Sequence, residues 1–270
     1  MRSRLLILCA ALSPAFALAG PYAPAADEIG TTAIPYDSAG ILGWATGFQD
    51  LVRGPIKISD LSQGYASFGS GANALGAADA QIDSLPVVSL GDGGHITLTF
   101  GSPIRNGPGA DFAVFENGFD DSFLELAFVE VSSNGTTFTP FHSVSLTQTA
   151  TQVGSAPFSI DPTDLNNLAG KYRRGFGTPF DLAELAGIPG LDINNITHVR
   201  ITDVVGSIDP LYRTLDSDNH PINDPWPTTF PSGGFDLDAV GVLNFASAPE
   251  PCTSLMLMSA ALIFTARRRR

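Results

Sequence analysis

An all-β fold is what this 270-residue sequence predicts: a single antiparallel β-sandwich of jelly-roll type with two short helical insertions. Three features point there. Short stretches with apolar residues at every second position recur along the chain. Turn residues such as Asn134-Gly135 punctuate them. No internal repeat or rich linker divides them into two domains. Two further helices are expected outside the fold, a signal helix at the N-terminus and an apolar helix at the C-terminus.

Residues 1–19, MRSRLLILCAALSPAFALA, have a basic start, an apolar stretch from Leu5 to Leu12 and then Ala17-Leu18-Ala19. This is the pattern of a secretory signal peptide, with cleavage expected after Ala19. The body is residues 20–248. Its first part, to Asp50, is rich in Gly, Pro, Ala and Thr, with Ile41 and Trp44 as buried anchors. Residues 60–86 are small and polar without periodicity, and read as a long surface loop. From His95 to Phe100, Ile96, Leu98 and Phe100 alternate with His95, Thr97 and Thr99, giving a half-buried strand with His95 on its polar face.

The stretch Gly109 to Gly135 is the centre of the body. Phe112 and Val114 share a strand face with Glu116, and Ala113 and Phe115 share the other; next, Leu124, Leu126 and Phe128 oppose Ala127, Val129 and Val131. Both faces are largely apolar, as in strands inside a layered β structure. Asn134-Gly135 supplies a tight turn, and the chain returns as a strand over about Thr137 to Leu146. Asp161 as N-cap, Pro162 at the first helical position and Gly170 as a stop predict a short helix. Pro179 to Gly187 predicts another, ending at its glycine. Strands follow at Ile196 to Val205 and Phe235 to Leu243.

Composition excludes several functions. The sequence carries 14 Lys+Arg against 27 Asp+Glu, a net charge of -13, and six of those basic residues (Arg2, Arg4 and Arg267 to Arg270) lie at the extreme ends. A body this acidic repels phosphate backbones, so nucleic acid is not an expected partner, whereas divalent cations suit it. The two cysteines, Cys9 and Cys252, fall in the end segments, which removes disulfides, thiolate zinc sites and a Cys nucleophile from the body.

The densest polar cluster is Asp209 followed by Asp216-Ser217-Asp218-Asn219-His220-Pro221-Ile222-Asn223-Asp224. Its D-x-D start supplies closely spaced hard oxygens, as calcium loops require, although it lacks the glycine and glutamate of an EF-hand. The candidate metal ligands are therefore Asp216, Asp218, Asn223 and Asp224, joined by Glu116, Asp236 and Asp238, with calcium as the expected ion. The alternative is a solvated acidic turn stiffened by Pro221 and Pro225. Trp226, held between Pro225 and Pro227, with Tyr212, Tyr172 and Arg173, forms the candidate ligand-binding set: the rings to stack on a sugar face, the arginine to hold an anionic group. Packing and surface ion pairs are the alternatives for these residues.

Enzyme readings find little support. Glu116 with Glu125 or Glu130 could supply the carboxylate pair a glycosidase needs, but strand alternation puts Glu125 and Glu130 on opposite faces. The body has no G-x-S-x-G elbow, and His95, His142, His198 and His220 show no zinc-hydrolase spacing. Glu116, at the end of a core strand and followed by Asn117-Gly118, is expected as a loop organiser, with catalysis as the alternative. The expectation is a non-enzymatic protein.

Two resemblances add to this reading. At the C-terminus, Pro249-Glu250-Pro251, an apolar run from Leu255 to Phe264 and the cluster Arg267, Arg268, Arg269, Arg270 resemble the PEP-CTERM sorting signal of exported bacterial proteins. The apolar run is shorter than that signal's usual membrane helix. The resemblance implies residues 249–270 as the signal, a transient membrane anchor, an exosortase-type processing protease as partner, and a destination at the cell surface or in an exopolysaccharide matrix. In the body, Asn73-Ala74-Leu75-Gly76, then Val88-Ser89-Leu90-Gly91 and the strands to Phe115 resemble galactose-binding-like, discoidin-type jelly rolls. That resemblance implies end loops that bind sugars, lipids or calcium, and no catalysis. The expected function is thus an exported surface protein that binds extracellular polysaccharide. A structural matrix protein without a sugar site, or a polysaccharide hydrolase or lyase built on Glu116, are the alternatives.

Overall fold

The structure, a computed structural model, describes residues 19–80 and 86–246. The expected signal helix, the apolar C-terminal helix and the sorting-signal residues Pro249, Glu250, Pro251 and Arg267 to Arg270 lie outside the described residues.

The described chain is mostly antiparallel β-sheet in a curled, open, half-barrel arrangement. Its strands are β1 (Ile34–Pro35), β2 (Gly43–Trp44), β3 (Gly47–Val52), β4 (Val88–Ser89), β5 (His95–Ile104), β6 (Phe112–Glu116), β7 (Ala127–Ser132), β8 (Thr139–Pro140), β9 (Val144–Ser145), β10 (Leu165–Asn166), β11 (Phe176–Phe180), β12 (Ile196–Asp203) and β13 (Asp236–Val242). One sheet runs β1-β11-β6-β13-β2, with β4 also on β13; a second runs β3-β5-β12-β7-β8; β9 and β10 form a small ribbon.

Alternation explains the core. Phe112 and Val114 of β6, with Leu237, Val240 and Val242 of β13, meet Ile96, Leu98, Val129, Val131, Val199 and Ile201 from the second sheet in one shared cluster. The other face of β6 is also covered: Ala113 and Phe115 pack with Ala239, Ile34, Ile41 and Trp44. On the far side of β7, Leu124 and Leu126 join Val153, Ile160, Leu165, Leu168, Val204 and Ile222, with Phe128 against them. Each residue of the central stretch therefore lies on the face its alternation predicts. At about 25 cal/mol per Å² of apolar area, burial on both faces makes these strands the main source of stability.

Several expectations are corrected. Leu124 to Leu126 are irregular, and β7 begins at Ala127. The strand expected from Thr137 to Leu146 is two short pieces in different sheets, β8 on β7 and β9 on β10. Neither helical insertion exceeds one 3-10 turn. Asp161 does cap, its carboxylate accepting the Thr163 N–H, but the turn spans Pro162–Asp164 and Leu165 is drawn into pairing with Ser145. Pro179 and Phe180 are in β11, opposite Ala113 and Phe112, and only Leu182–Leu185 turns, capped by Asp181. Burial decides this: Phe180 stacks on Phe112 at 5.3 Å and packs on Phe141 at 5.0 Å, contacts available only from the strand.

Candidate functional site

Buried carboxylates dominate one end of the molecule, and most of them are spent on backbone N–H groups. Asp92 Oδ2 accepts from Ile58 N (2.7 Å) and from the Trp226 indole (3.1 Å). Asp203 accepts from Phe235 N at Oδ1 and Gly93 N at Oδ2. Asp224 Oδ2 accepts from Leu126 N (3.0 Å) and Asp238 Oδ2 from Asp79 N (2.9 Å). Loops rich in Gly and Pro leave many donors unpaired within themselves, and a carboxylate crossing from another segment satisfies them.

Three carboxylates depart from this rule. Glu116 is 1% exposed; its Oε2 accepts from Gly118 N at 2.6 Å, but Oε1 has no hydrogen-bond partner. Asp236 is 7% exposed and its Oδ1 is also unpartnered. Glu125 is half-buried, and its side chain makes no hydrogen bond among the described residues. Burial and the charges of Asp236 and Asp238 hold the Glu116 carboxyl well above its ordinary range, against the pull of the Gly118 and Asn117 N–H groups. Burial, then Asp236, Glu116, Asp224 and Asp203, do the same to Glu125. Burial pushes Asp236 up to about 7, partly opposed by the Ser89 hydroxyl and then by Arg53, and pushes Asp238 up to about 7.

Glu125 and Asp236 line a cleft of about 280 Å³ with Asn117, Gly118, Phe119, Phe123, Ser155, Arg174, Thr228, Phe230 and Ser232. Its rim is aromatic. Phe119 is 60% exposed and Phe230 62%, while Phe119 stacks on Phe123 at 4.8 Å and meets Phe158 edge-on at 5.3 Å. On its other side Glu125 borders a cavity of about 10 Å³, lined also by Asp92, Asp203, Asp224 and Trp226. That space is about one water molecule.

The expected Asp216 loop serves another purpose. Asp216 is buried; its Oδ1 accepts from Asp218 N and His220 N, and its Oδ2 from Ser145 N. Asp218 is exposed beside His142 Nε2 at 3.2 Å. Asn223 is fully buried and spends its amide on Gln148 O, Thr151 O, Val153 N and Gln152 Nε2. These residues pin a turn and do not converge with Glu116, Asp236 and Asp238. Among the described residues, no group of three or more His, Cys, Asp or Glu is closed to metal-holding distance.

The expected ligand-binding set is dispersed as well. Tyr172 is 1% exposed, with its hydroxyl 2.9 Å from Thr32 Oγ1, so its ring faces the interior and not a ligand. Arg173 pairs with Asp27 at 2.7 Å and Asp121 at 3.1 Å and lies over Phe176. Trp226 is half-buried, its indole N–H held by Asp92, and Tyr212 is half-exposed on the Asp209 turn. Sequence reasoning missed Phe119, Phe123, Phe230 and Asp203. The sequence signal for the first two was Phe119 and Phe123 four apart around Asp120-Asp121, in a turn where exposed aromatics are unusual.

This geometry stands by itself: no protein-family model and no curated protein matches the sequence.

Proposed function

We propose that this chain is an exported bacterial surface protein whose jelly-roll-like β-sandwich binds an extracellular polysaccharide in the Phe119–Phe230 cleft. One observation carries the reading: two exposed phenyl rings line one cleft with the polar residues Asn117, Ser155, Thr228 and Ser232, with Arg174, and with Glu125 and Asp236. A sugar presents an apolar C–H face and a rim of hydroxyls, and this pairing of ring and polar group fits both. The terminal segments support export through the inner membrane, with release by an exosortase-type protease and a place at the cell surface or in the matrix.

The burial of Glu116 behind Gly118, away from the cleft lining, favours binding over the hydrolase or lyase reading, because a general acid must reach its substrate. A glycan array probed with the full chain tests the proposal. Binding to a defined class of polysaccharide, lost in Phe119→Ala and Phe230→Ala, is expected. Absence of binding and of turnover points instead to a structural matrix protein, and release of shortened products would make it an enzyme.

A further inference from the structure

The first residues of the body are fastened to one turn. Gly20 N donates to Thr163 Oγ1 at 2.6 Å, and Thr163 Oγ1 in turn donates to Asp161 Oδ1 at 2.7 Å, so a backbone N–H reaches a carboxylate through one hydroxyl. Two residues on, Tyr22 N donates to Thr163 O at 3.0 Å. The fit is close enough to demand glycine: a Cβ on residue 20 would collide with Thr163 O and stand 2.5 Å from Asp164 Oδ1. The Asp164 carboxylate accepts no hydrogen bond among the described residues, and burial, followed by the charge of Asp161, holds it above its ordinary range. Lys171 lies against the Tyr22 ring and acts on Asp161, but its ammonium is committed to Leu165 O at 2.8 Å.

We infer that Thr163 Oγ1 and the Asp164 carboxylate form a binding site for the α-ammonium group that cleavage after Ala19 creates on Gly20. The inference rests on the export reading, which supplies that cleavage. Ala19 is exposed and outside regular structure, so the Ala19–Gly20 peptide is open to a peptidase. Hydrolysis adds one water across that bond, leaving a carboxylate on Ala19 and an ammonium on Gly20. The peptide nitrogen of Gly20 has one N–H to give, whereas the ammonium has three and a positive charge. One N–H keeps the bond to Thr163 Oγ1, while the charge stands beside Asp164 Oδ1 and reaches Asp161 through the Thr163 hydroxyl. Charge-assisted hydrogen bonds are about twice as strong as neutral ones, and here Gly20 and Asp164 are both half-buried. Removal of the signal thus turns a neutral tether into an ion pair. It does so only when the chain starts at residue 20, since a start one residue earlier puts the charge on exposed Ala19. The segment that follows then covers one side of the fold: Tyr22 lies against Lys171, Ala26 is buried and Thr32 bonds the Tyr172 hydroxyl.

Chains covering residues 20–270 and 17–270, identical except at the N-terminus, test this by thermal melting at neutral pH. The chain that begins at Gly20 is expected to melt about 2–4 °C higher. Asp164→Asn should remove most of that difference, lowering the chain that begins at Gly20 and sparing the longer one. Should the variant not fold, acylation of the wild-type α-amine is the second readout. In the folded chain the Gly20 amine should react roughly tenfold slower than in urea, because a neighbouring carboxylate holds it protonated. Equal melting temperatures, a difference indifferent to Asp164→Asn, or equal acylation rates would each overturn the site. N-terminal sequencing of the exported protein separates the two ways of failing. A start other than Gly20 would overturn the site together with cleavage after Ala19. A Gly20 start with equal melting temperatures would overturn the docking alone and leave export standing.

Discussion

Glu116 and Asp236 stand on neighbouring antiparallel strands, and each keeps a buried carboxylate oxygen with no hydrogen-bond donor. Asp92, Asp203, Asp224 and Asp238 are by contrast tied to backbone N–H groups. Burial holds the carboxyls of Glu116 and Glu125 well above their ordinary range and pushes that of Asp236 up to about 7.

Stability is expected to fall as pH rises from weakly acidic to neutral. Glu116, Glu125, Asp203 and Asp224 are held well above their ordinary values by burial, and Asp236 and Asp238 are raised to about 7. The folded chain holds these protons more tightly than the unfolded chain. Their stabilisation is therefore complete below about pH 4 and is lost as pH rises through about 7. His198, lowered by burial, acts in the opposite sense below its ordinary value, one group against six. Melting in EDTA should occur at a higher temperature at about pH 5 than at about pH 7.5. A melting temperature that climbs over that interval would contradict the burial of these acids.

Removing the amide of Asn223 should be among the costliest single changes. Asn223→Ala strands Gln148 O, Thr151 O and Val153 N in the interior and leaves a cavity. A loss of about 3 kcal/mol or more is expected in urea denaturation, against about 0.5 kcal/mol for the exposed Asp218→Ala.

Gly170 gives a backbone test of how Glu125 is placed. Its φ is +82°, and a Cβ there would meet the Glu125 carbonyl oxygen at 1.9 Å. Gly170→Ala should cost more than the ~1 kcal/mol of left-handed strain alone, because the Glu125 backbone must also move. If that variant melts within a degree of the wild type, the close packing of the two segments is wrong.

At the cleft rim, the two exposed phenylalanines should separate stability from binding. Phe230 is 62% exposed and makes no ring contact with another aromatic among the described residues, so Phe230→Ala should change stability by no more than about 0.5 kcal/mol. Phe119 stacks on Phe123 and meets Phe158, and Phe119→Ala should cost about 1 kcal/mol. On a glycan that binds the wild type, each should weaken affinity roughly fivefold, the loss of about 1 kcal/mol of ring contact. Equal affinity in both variants would move the sugar away from this cleft.

The legible part of the fold was its alternation. Phe112 and Val114 against Ala113 and Phe115, and Leu124, Leu126 and Phe128 against Ala127, Val129 and Val131, take the faces their spacing requires. The helical insertions were misjudged because Asp161-Pro162 and Asp181 are true capping signals, whereas helix length depends on what comes next. Leu165 and Phe180 gain more from pairing and burial in strands than a short helix returns. For the Asp216 loop the spacing left two readings open, a calcium loop and a stiffened turn; in the structure the Asp216 carboxylate accepts from the Asp218, His220 and Ser145 N–H groups, an arrangement that only tertiary contacts reveal.

By itself the sequence determined an acidic, cysteine-free β body with a strand pair apolar on both faces, since charge balance and period-two alternation are local properties. It also placed Glu116 correctly, at the end of a core strand. Which carboxylates meet was decided only by the tertiary structure. Glu116 and Asp236 are 120 residues apart in sequence and come to neighbouring strands through the β6–β13 pairing, and Asp236 lines a cleft with Glu125. Glu125 and Glu130 were expected within one strand, but Glu125 lies in the irregular stretch before β7 and only Glu130 is in the strand. That Glu125 lines one cleft with Asp236 and Phe230 depends on how distant segments pack, and no spacing along a single segment records that.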